Sequence, residues 1–184
     1  MKSLVTKLAI LPLAIASTIA MAGTNLVENG SFENTDTVTD HNGQWQLFNE
    51  IPGWKRSTHA KFEIQTNKLG IVTAQEGNQY LELDSTANYS ISQNFTTQPG
   101  KQYELTFYYS ARKEGNETTN KAEVFWNDSS LAVVNSSSKG WTKYSFIVEA
   151  DSTSSVLSFA GTGTSDSVGA FIDNVVVTEV AEPC

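Results

Sequence analysis

The sequence is short of cysteine, positive charge and histidine, and each shortage excludes a class of function. Cys184, the last of 184 residues, is the only cysteine, so no disulfide can form within the chain. Twelve Lys and Arg stand against 20 Asp and Glu, a net charge of −8. That balance excludes nucleic acid and anionic lipid as expected partners, because both are held by clustered basic residues. His41 and His59 are isolated, so no zinc site is predicted.

Long apolar runs are also missing after the first residues of the chain. Lys2 and Lys7 precede a short apolar stretch at residues 8–20, and Ala20-Met21-Ala22 fits the small-x-small rule of a signal peptidase site. Residues 1–22 are therefore predicted to be a bacterial-type signal peptide, and the protein to be secreted, extracellular or periplasmic. No later run is long enough to insert into a membrane.

A single domain is predicted at 23–180, followed by a flexible tail at 181–184. Cys184 is open to two interpretations, an unpaired thiol on a frayed tail or a disulfide-linked dimer.

Helix signals are nearly absent from the remainder, where short β-branched and aromatic runs alternate with Gly, Asn, Asp and Ser. This pattern is typical of an all-β sandwich. The longest run predicts a strand with Leu105, Phe107, Tyr109 and Ala111 on one face and polar side chains on the other. The strands predicted from the pattern are 80–84, 89–95, 103–112, 122–127, 141–148, 156–160 and 170–177.

The residue patterns that accompany common catalytic sites do not occur. There is no Gly-x-Ser-x-Gly elbow, no His-Glu-x-x-His and no cysteine nucleophile with a partner. Glu82 and Asp84 lie two apart on one predicted strand, but any strand with alternating acids gives that spacing. The protein is therefore predicted not to be an enzyme.

A family resemblance begins at Asn25-Leu-Val-Glu-Asn-Gly-Ser-Phe-Glu33 and continues through Ile51-Pro-Gly-Trp54 and Gly77-Asn-Gln-Tyr-Leu-Glu-Leu-Asp-Ser85. Ile91-Ser-Gln-Asn-Phe95, Pro99-Gly-Lys-Gln-Tyr103, Gly140-Trp141 and Gly169-Ala-Phe-Ile-Asp-Asn-Val175 follow in order. These motifs resemble the DUF642 family and related galactose-binding-like carbohydrate-binding modules. The resemblance implies a two-sheet antiparallel jelly-roll sandwich whose first and last strands lie close together.

The resemblance also implies a structural calcium ion where those two strands meet. Its carboxylate ligands would be Glu33 from the opening motif and Asp173 from the closing motif. Hard oxygen ligands suit Ca²⁺. The alternative is that Glu33 caps a turn while Asp173 accepts hydrogen bonds from backbone amides.

Strand alternation predicts a candidate binding face. If Leu81 and Leu83 face the core, their acidic neighbours face outward, and strands that follow one another in sequence often lie side by side. We therefore expect one patch that combines carboxylates, a guanidinium group, an amide and aromatic rings. Its members are Glu82, Asp84, Tyr108, Arg112, Glu123, Phe125 and Asn127. The alternative is an ordinary solvent face on which Arg112 pairs with Glu82 or Asp84.

The tryptophans divide into two groups. Trp54, Trp126 and Trp141 are predicted to pack in the core, whereas Trp45 is placed in a loop as a sugar-stacking residue. With the resemblance, these features predict a secreted, non-catalytic lectin-like module that binds polysaccharide or glycan. The competing hypothesis is a structural cell-surface or biofilm-matrix protein that binds protein partners.

Overall fold

Short strands and tight turns alternate along the chain, as the sequence predicts. The computed structural model describes residues 23–57, 59–114 and 116–181. Within those ranges two 3-10 turns, Asp40–Gly43 and Asn67–Leu69, accompany eleven strands. The strands are β1 (Trp45–Phe48), β2 (Lys55–Arg56), β3 (Phe62–Thr66), β4 (Gln79–Glu82), β5 (Ser90–Thr96), β6 (Gln102–Ser110), β7 (Ala122–Trp126), β8 (Ser129–Val134), β9 (Thr142–Glu149), β10 (Ser154–Gly161) and β11 (Phe171–Glu179).

The strands form two sheets, and every pairing is antiparallel. One sheet has the order β1-β3-β4-β11-β6-β9 and the other the order β2-β5-β10-β7-β8. Successive strands such as β4 and β5, or β6 and β7, belong to opposite sheets. This alternation is the jelly-roll arrangement, and it confirms the predicted two-sheet antiparallel fold.

The core lies between the two sheets and is built by strand alternation. Leu105, Phe107 and Tyr109 of β6 are buried, as their spacing predicts. The Phe107 ring meets Phe159 of β10 edge-on at a centroid distance of 5.0 Å, which joins the sheets. Burying each such ring contributes roughly 1.5–3 kcal/mol to folding.

The opening segment runs beside the closing strand, as the resemblance implies. The Leu26 amide donates to the Val177 carbonyl at 2.8 Å, and the Val175 amide donates to the Gly30 carbonyl at 2.9 Å. A side chain at position 30 would collide with the backbone of Val175. The glycine of the opening motif therefore permits this close approach.

The sequence-based prediction left out four strands, β1, β2, β3 and β8. The signal for β3 was present, because Phe62 and Ile64 alternate with the polar Glu63 and Gln65. The signal for β8 was a hairpin turn, Asn127-Asp128, whose positive φ angles of 49° and 62° are typical of a type I′ turn. Only β2 is so short, at two residues, that it offered no pattern.

Three predictions fall outside the described residues, namely the signal peptide at 1–22, the flexible tail at 181–184, of which only Ala181 is described, and the role of Cys184. Among the residues that are described, no helix is long and apolar enough to cross a membrane.

Candidate functional site

A surface cavity of about 280 Å³ opens at the β1 side of the six-stranded sheet. β1 supplies Trp45 and Leu47 to it, and Glu63 of the paired strand β3 lies directly opposite Leu47. Arg112, just beyond β6, and two loops complete the walls. The lining residues are Trp45, Leu47, Glu63, Ser85, Thr86, Arg112 and Ser167.

Arg112 is fixed in this cavity by two glutamates. Its Nη1 lies 2.5 Å from Glu82 Oε2 and 3.5 Å from Glu63 Oε1. The Gln65 amide donates to the same two carboxylates, at 2.8 Å to Glu63 and 3.0 Å to Glu82. Two shared donors thus bridge the carboxylates and hold the guanidinium group in one orientation.

The two glutamates differ in their access to the cavity. Glu82 is 0% exposed, whereas Glu63 contributes to the cavity wall. Desolvation by burial raises the pKa of Glu82 well above its ordinary value; the neighbouring Glu63 raises it further, and Arg112 opposes the shift. Glu82 therefore holds Arg112 in position from a buried site, and Glu63 and Arg112 present polar groups to the cavity.

Asp84 anchors the loop that forms one cavity wall. Its carboxylate accepts hydrogen bonds from the Ser165 hydroxyl at 3.0 Å, the Asp166 amide at 2.7 Å and the Ser167 amide at 2.9 Å. The Gly169 amide donates to Glu82, which ties down the end of the same loop. Both acids of the β4 region thus hold residues 165–169 over the outer face of the sheet.

Trp45 lies on β1 rather than in a loop, so that part of the prediction is wrong. It pairs with Gln65 of β3 and is half-buried. The His41 ring stacks on its indole at a centroid distance of 3.6 Å and an angle of 12°. Strand pairing and this stacking hold the indole at the cavity rim.

The predicted single binding face is wrong as a grouping, because the jelly roll sends β6 and β7 to different sheets. Glu82 lies on the outward side of β4 and Asp84 follows two residues later, but both are buried under the 165–169 loop rather than open to solvent. Tyr108 is on the outer face of the six-stranded sheet, opposite Asp173 and Lys143, and does not line the cavity.

The remaining predicted face residues, Glu123, Phe125 and Asn127, lie in and just after β7 in the five-stranded sheet. Glu123 accepts a hydrogen bond from the Ser130 hydroxyl at 2.6 Å. The Asn127 side chain accepts from the Val156 amide at 2.8 Å and donates to Asp151 at 3.1 Å. Asn127 therefore braces a turn, and Phe125 alone presents an aromatic surface, half-buried, on this outer face.

Glu33 and Asp173 both bind one loop, residues 75–79. Glu33 Oε1 accepts from the Asn78 amide at 2.7 Å and the Gln79 amide at 2.6 Å. Asp173 Oδ2 accepts from the Gln75 amide at 2.7 Å and the Glu76 amide at 3.1 Å. Burial raises the pKa of Asp173 to about 7, and the charge of Glu33 adds to the shift. The two ends of the chain therefore meet at a pair of acids that share one loop.

Sequence reasoning missed several residues of the site and misplaced a second tryptophan, Trp141. Glu63, Gln65 and Ser167 were not singled out, although the alternation of β3 could have indicated the first two. Trp141 is not in the core: it is half-buried on the outer face of the six-stranded sheet, where it packs on Tyr80 at 5.7 Å and donates to the Thr73 carbonyl at 2.6 Å. Trp54 and Trp126 are buried as predicted.

Taken together, the two antiparallel sheets define a jelly-roll domain. The chain belongs to the DUF642 family, described as a protein family of unknown function, whose profile matches residues 25–178. The predicted family resemblance is thus confirmed.

The relatives that match the chain are very long proteins. Halomucin of Haloquadratum walsbyi is 32% identical over 177 residues, which cover 92% of this chain and 2% of halomucin. The multifunctional-autoprocessing repeats-in-toxin of Vibrio vulnificus is 27% identical over 153 residues, covering 83% of this chain and 3% of the toxin. The chain thus spans 2% to 3% of the length of these relatives.

Solved structures share the fold at low sequence identity. An arabinose-bound GH51 α-L-arabinofuranosidase superposes with a TM-score of 0.55 and 11% identity, over 86% of this chain and 27% of the enzyme. A family 16 carbohydrate-binding module gives a TM-score of 0.49 and 16% identity, over 84% of this chain and all of the module. At 11% identity the likeness to the arabinofuranosidase shows the fold alone.

Proposed function

We propose that this domain is a secreted, non-catalytic module that binds a polysaccharide or glycan at the Trp45 cavity. The observation that carries the proposal is the pairing of an indole with a fixed guanidinium–carboxylate cluster in one surface cavity. Aromatic rings stack on the apolar face of a pyranose, and preoriented Arg and Glu groups hydrogen-bond its hydroxyls. A neutral or mildly polar sugar fits, since the cluster carries charges of both signs.

The arrangement of the carboxylates supports binding rather than catalysis. Glycosidases place two carboxyl groups on either side of the scissile bond, with space for substrate between them. Here Gln65 and Arg112 bridge Glu63 and Glu82, and Glu82 is fully buried. No sugar ring can enter between them.

Binding is tested with the 23–184 protein on an array of neutral and acidic polysaccharides. We expect retention on a subset of glycans, and about tenfold weaker binding after Trp45→Ala, because the stacking surface is lost. Phe125→Ala, a similar aromatic truncation on the opposite sheet, is the matched control and should bind normally. Loss of binding with Phe125→Ala instead, or no retention of the unchanged protein, would contradict the proposal.

Calcium at Glu33 and Asp173 is part of the same proposal. Two carboxylates that share one loop offer the hard oxygen ligands and the negative charge that Ca²⁺ prefers, and burial of Asp173 favours a bound counter-ion. The ion would fasten the opening segment to β11 through the 75–79 loop and take no part in chemistry.

Calcium binding is expected to raise the melting temperature of the 23–184 protein relative to EDTA. The stabilisation approaches about 2.7 kcal/mol at roughly 100 times the dissociation constant. Glu33→Gln keeps an oxygen acceptor for the loop amides but should reduce the calcium-dependent shift. Mg²⁺ at the same concentration is the control. An identical melting temperature in calcium and EDTA would leave Glu33 and Asp173 as loop anchors only.

Export of the protein is also part of the proposal, and it is supported by the signal-peptide pattern of residues 1–22. Sequencing the amino terminus of protein recovered outside the cytoplasm should find Gly23 as its first residue. A first residue at Met1 in that fraction would refute the cleavage.

A further inference from the structure

β9 is the last strand of the six-stranded sheet and pairs on one side only. Its register with β6 runs without interruption from Thr142 opposite Tyr109 to Glu149 opposite Gln102. On its other side, no strand of the described chain is hydrogen-bonded to it. β9 therefore presents an edge eight residues long with which no other described strand pairs.

The direction of the backbone groups along this edge follows from the residue after the strand. The Ala150 amide donates to the Lys101 carbonyl at 3.0 Å, and the Ala150 carbonyl accepts from the Gly100 amide at 2.7 Å, so this residue points toward β6. In an antiparallel strand, the backbone amides and carbonyls of successive residues point alternately toward one neighbouring strand and away from it. The backbone groups of the odd-numbered residues therefore point away from β6: Lys143, Ser145, Ile147 and Glu149. Trp126 confirms the direction, because its indole N–H reaches the outward Glu149 carbonyl at 3.0 Å.

This edge lacks the usual protection against strand addition. β9 contains no proline, glycine or bulge, and Lys143 is its only basic residue. Ile147 is 57% exposed, one of two large hydrophobic residues exposed among those described. The other, Val133, lies on β8, the edge strand of the opposite sheet. A long, regular, partly apolar edge is a ready template for another strand.

We propose that the occupant of this edge is a second copy of the chain, paired β9 to β9 in antiparallel orientation about a two-fold axis at Phe146. In this register Lys143 lies opposite the partner's Glu149, and Ser145 lies opposite the partner's Ile147. Each opposed pair points to the same face of the sheet, and all four outward-pointing residues of each copy fall in hydrogen-bonded pairs. The two six-stranded sheets then form one continuous twelve-stranded sheet.

Charge selects this register over its neighbours. A two-fold axis at Ser145 would place Lys143 opposite the partner's Ile147 and leave Glu149 beyond the paired region. An axis at Ile147 would place Glu149 opposite the partner's Ser145 and leave Lys143 unpaired. Only the axis at Phe146 forms two Lys–Glu pairs, and opposite charges directly across strands stabilise pairing. The Glu149 carbonyl has a second lone pair for the new bond beside that used by Trp126.

The test measures the mass of the 23–184 protein by sedimentation equilibrium in a Cys184→Ser background, which removes any disulfide-linked dimer. We expect a monomer–dimer equilibrium. Lys143→Glu and Glu149→Lys, each alone, place like charges opposite each other twice, and each should weaken the dimer about tenfold. The double variant, and an equimolar mixture of the two single variants, should restore it because opposite charges again face each other.

A backbone variant separates strand pairing from side-chain effects. Ser145→Pro removes an amide that points away from β6, so it leaves the pairing with β6 intact and should abolish the dimer. Ser145→Ala keeps the amide and should dimerise normally. Melting temperatures near that of the parent protein show that each variant is folded. A monomer at every concentration, or a dimer indifferent to Ser145→Pro and to the charge reversals, would overturn the proposal.

Discussion

Replacing Arg112 by alanine is expected to lower the free energy of unfolding by about 3–5 kcal/mol, the usual cost of removing one partner from a buried ion pair. Glu82, fully buried, would lose its counter-charge while Glu63 stays beside it. Because a domain of this size is stable by only about 5–15 kcal/mol, the loss is large. Urea unfolding followed by tryptophan fluorescence measures it.

The pH dependence of that loss identifies Glu82 as its source. Burial raises the pKa of Glu82 in the folded protein above its ordinary value. The contribution of Glu82 to the free energy of unfolding is therefore favourable below the ordinary pKa and is lost as the pH rises through the raised pKa. Without Arg112 the pKa rises further, and the Arg112→Ala deficit should therefore be larger near pH 8 than near pH 4. Adding Glu82→Gln should recover part of the loss. Lys113→Ala, an exposed neighbour, should change stability by less than about 0.5 kcal/mol. A deficit independent of pH would contradict this account.

Asp84→Asn is expected to lower the free energy of unfolding by about 2 kcal/mol and to loosen the loop at the cavity wall. The asparagine side chain can turn its oxygen to the amides of Asp166 and Ser167 and donate its NH2 to the Ser165 hydroxyl, so the contacts can be kept but the negative charge is lost. The two backbone hydrogen bonds therefore become neutral ones at a buried site, and neutral bonds are roughly half as strong as charge-assisted bonds. Hydrogen exchange should show faster exchange of these two backbone amides than in the unchanged protein.

Asp151→Asn is the matched control for this substitution, because Asp151 is exposed and accepts a side-chain hydrogen bond from Asn127. It should change stability by less than about 0.5 kcal/mol. Unchanged exchange at residues 166 and 167 in Asp84→Asn would mean that another contact holds the loop. That result would also remove Asp84 as a support of the proposed glycan site.

The structural role of Arg112 affects how ligand binding should be tested. The sequence alone favours Arg112→Ala as a probe of sugar contacts on a folded protein. The structure shows that the guanidinium group neutralises buried charge, so loss of binding in that variant would report unfolding as readily as loss of contact. Trp45, at the cavity rim, is the cleaner probe.

Local alternation was sufficient to predict much of the fold. The burial of Leu105, Phe107 and Tyr109 follows from a period of two. That the opening segment lies beside the closing strand was implied only by the family resemblance of the two motifs. Alternation also assigned Glu82 and Arg112 to one face, where they do form an ion pair. It could not indicate β2, which has two residues, whereas the alternation of β3 was present in the sequence but was not assigned to a strand.

The sequence by itself determined which side chains point to each face of each strand, because that alternation is a property of the extended backbone. Only the tertiary structure decided which strands lie side by side. β6 and β7 are consecutive, yet they belong to opposite sheets, so Phe125 lies on the far side of the sandwich from Arg112. Loops decided the rest, since residues 165–169 fold over β4 and turn Glu82 and Asp84 from predicted surface ligands into buried anchors.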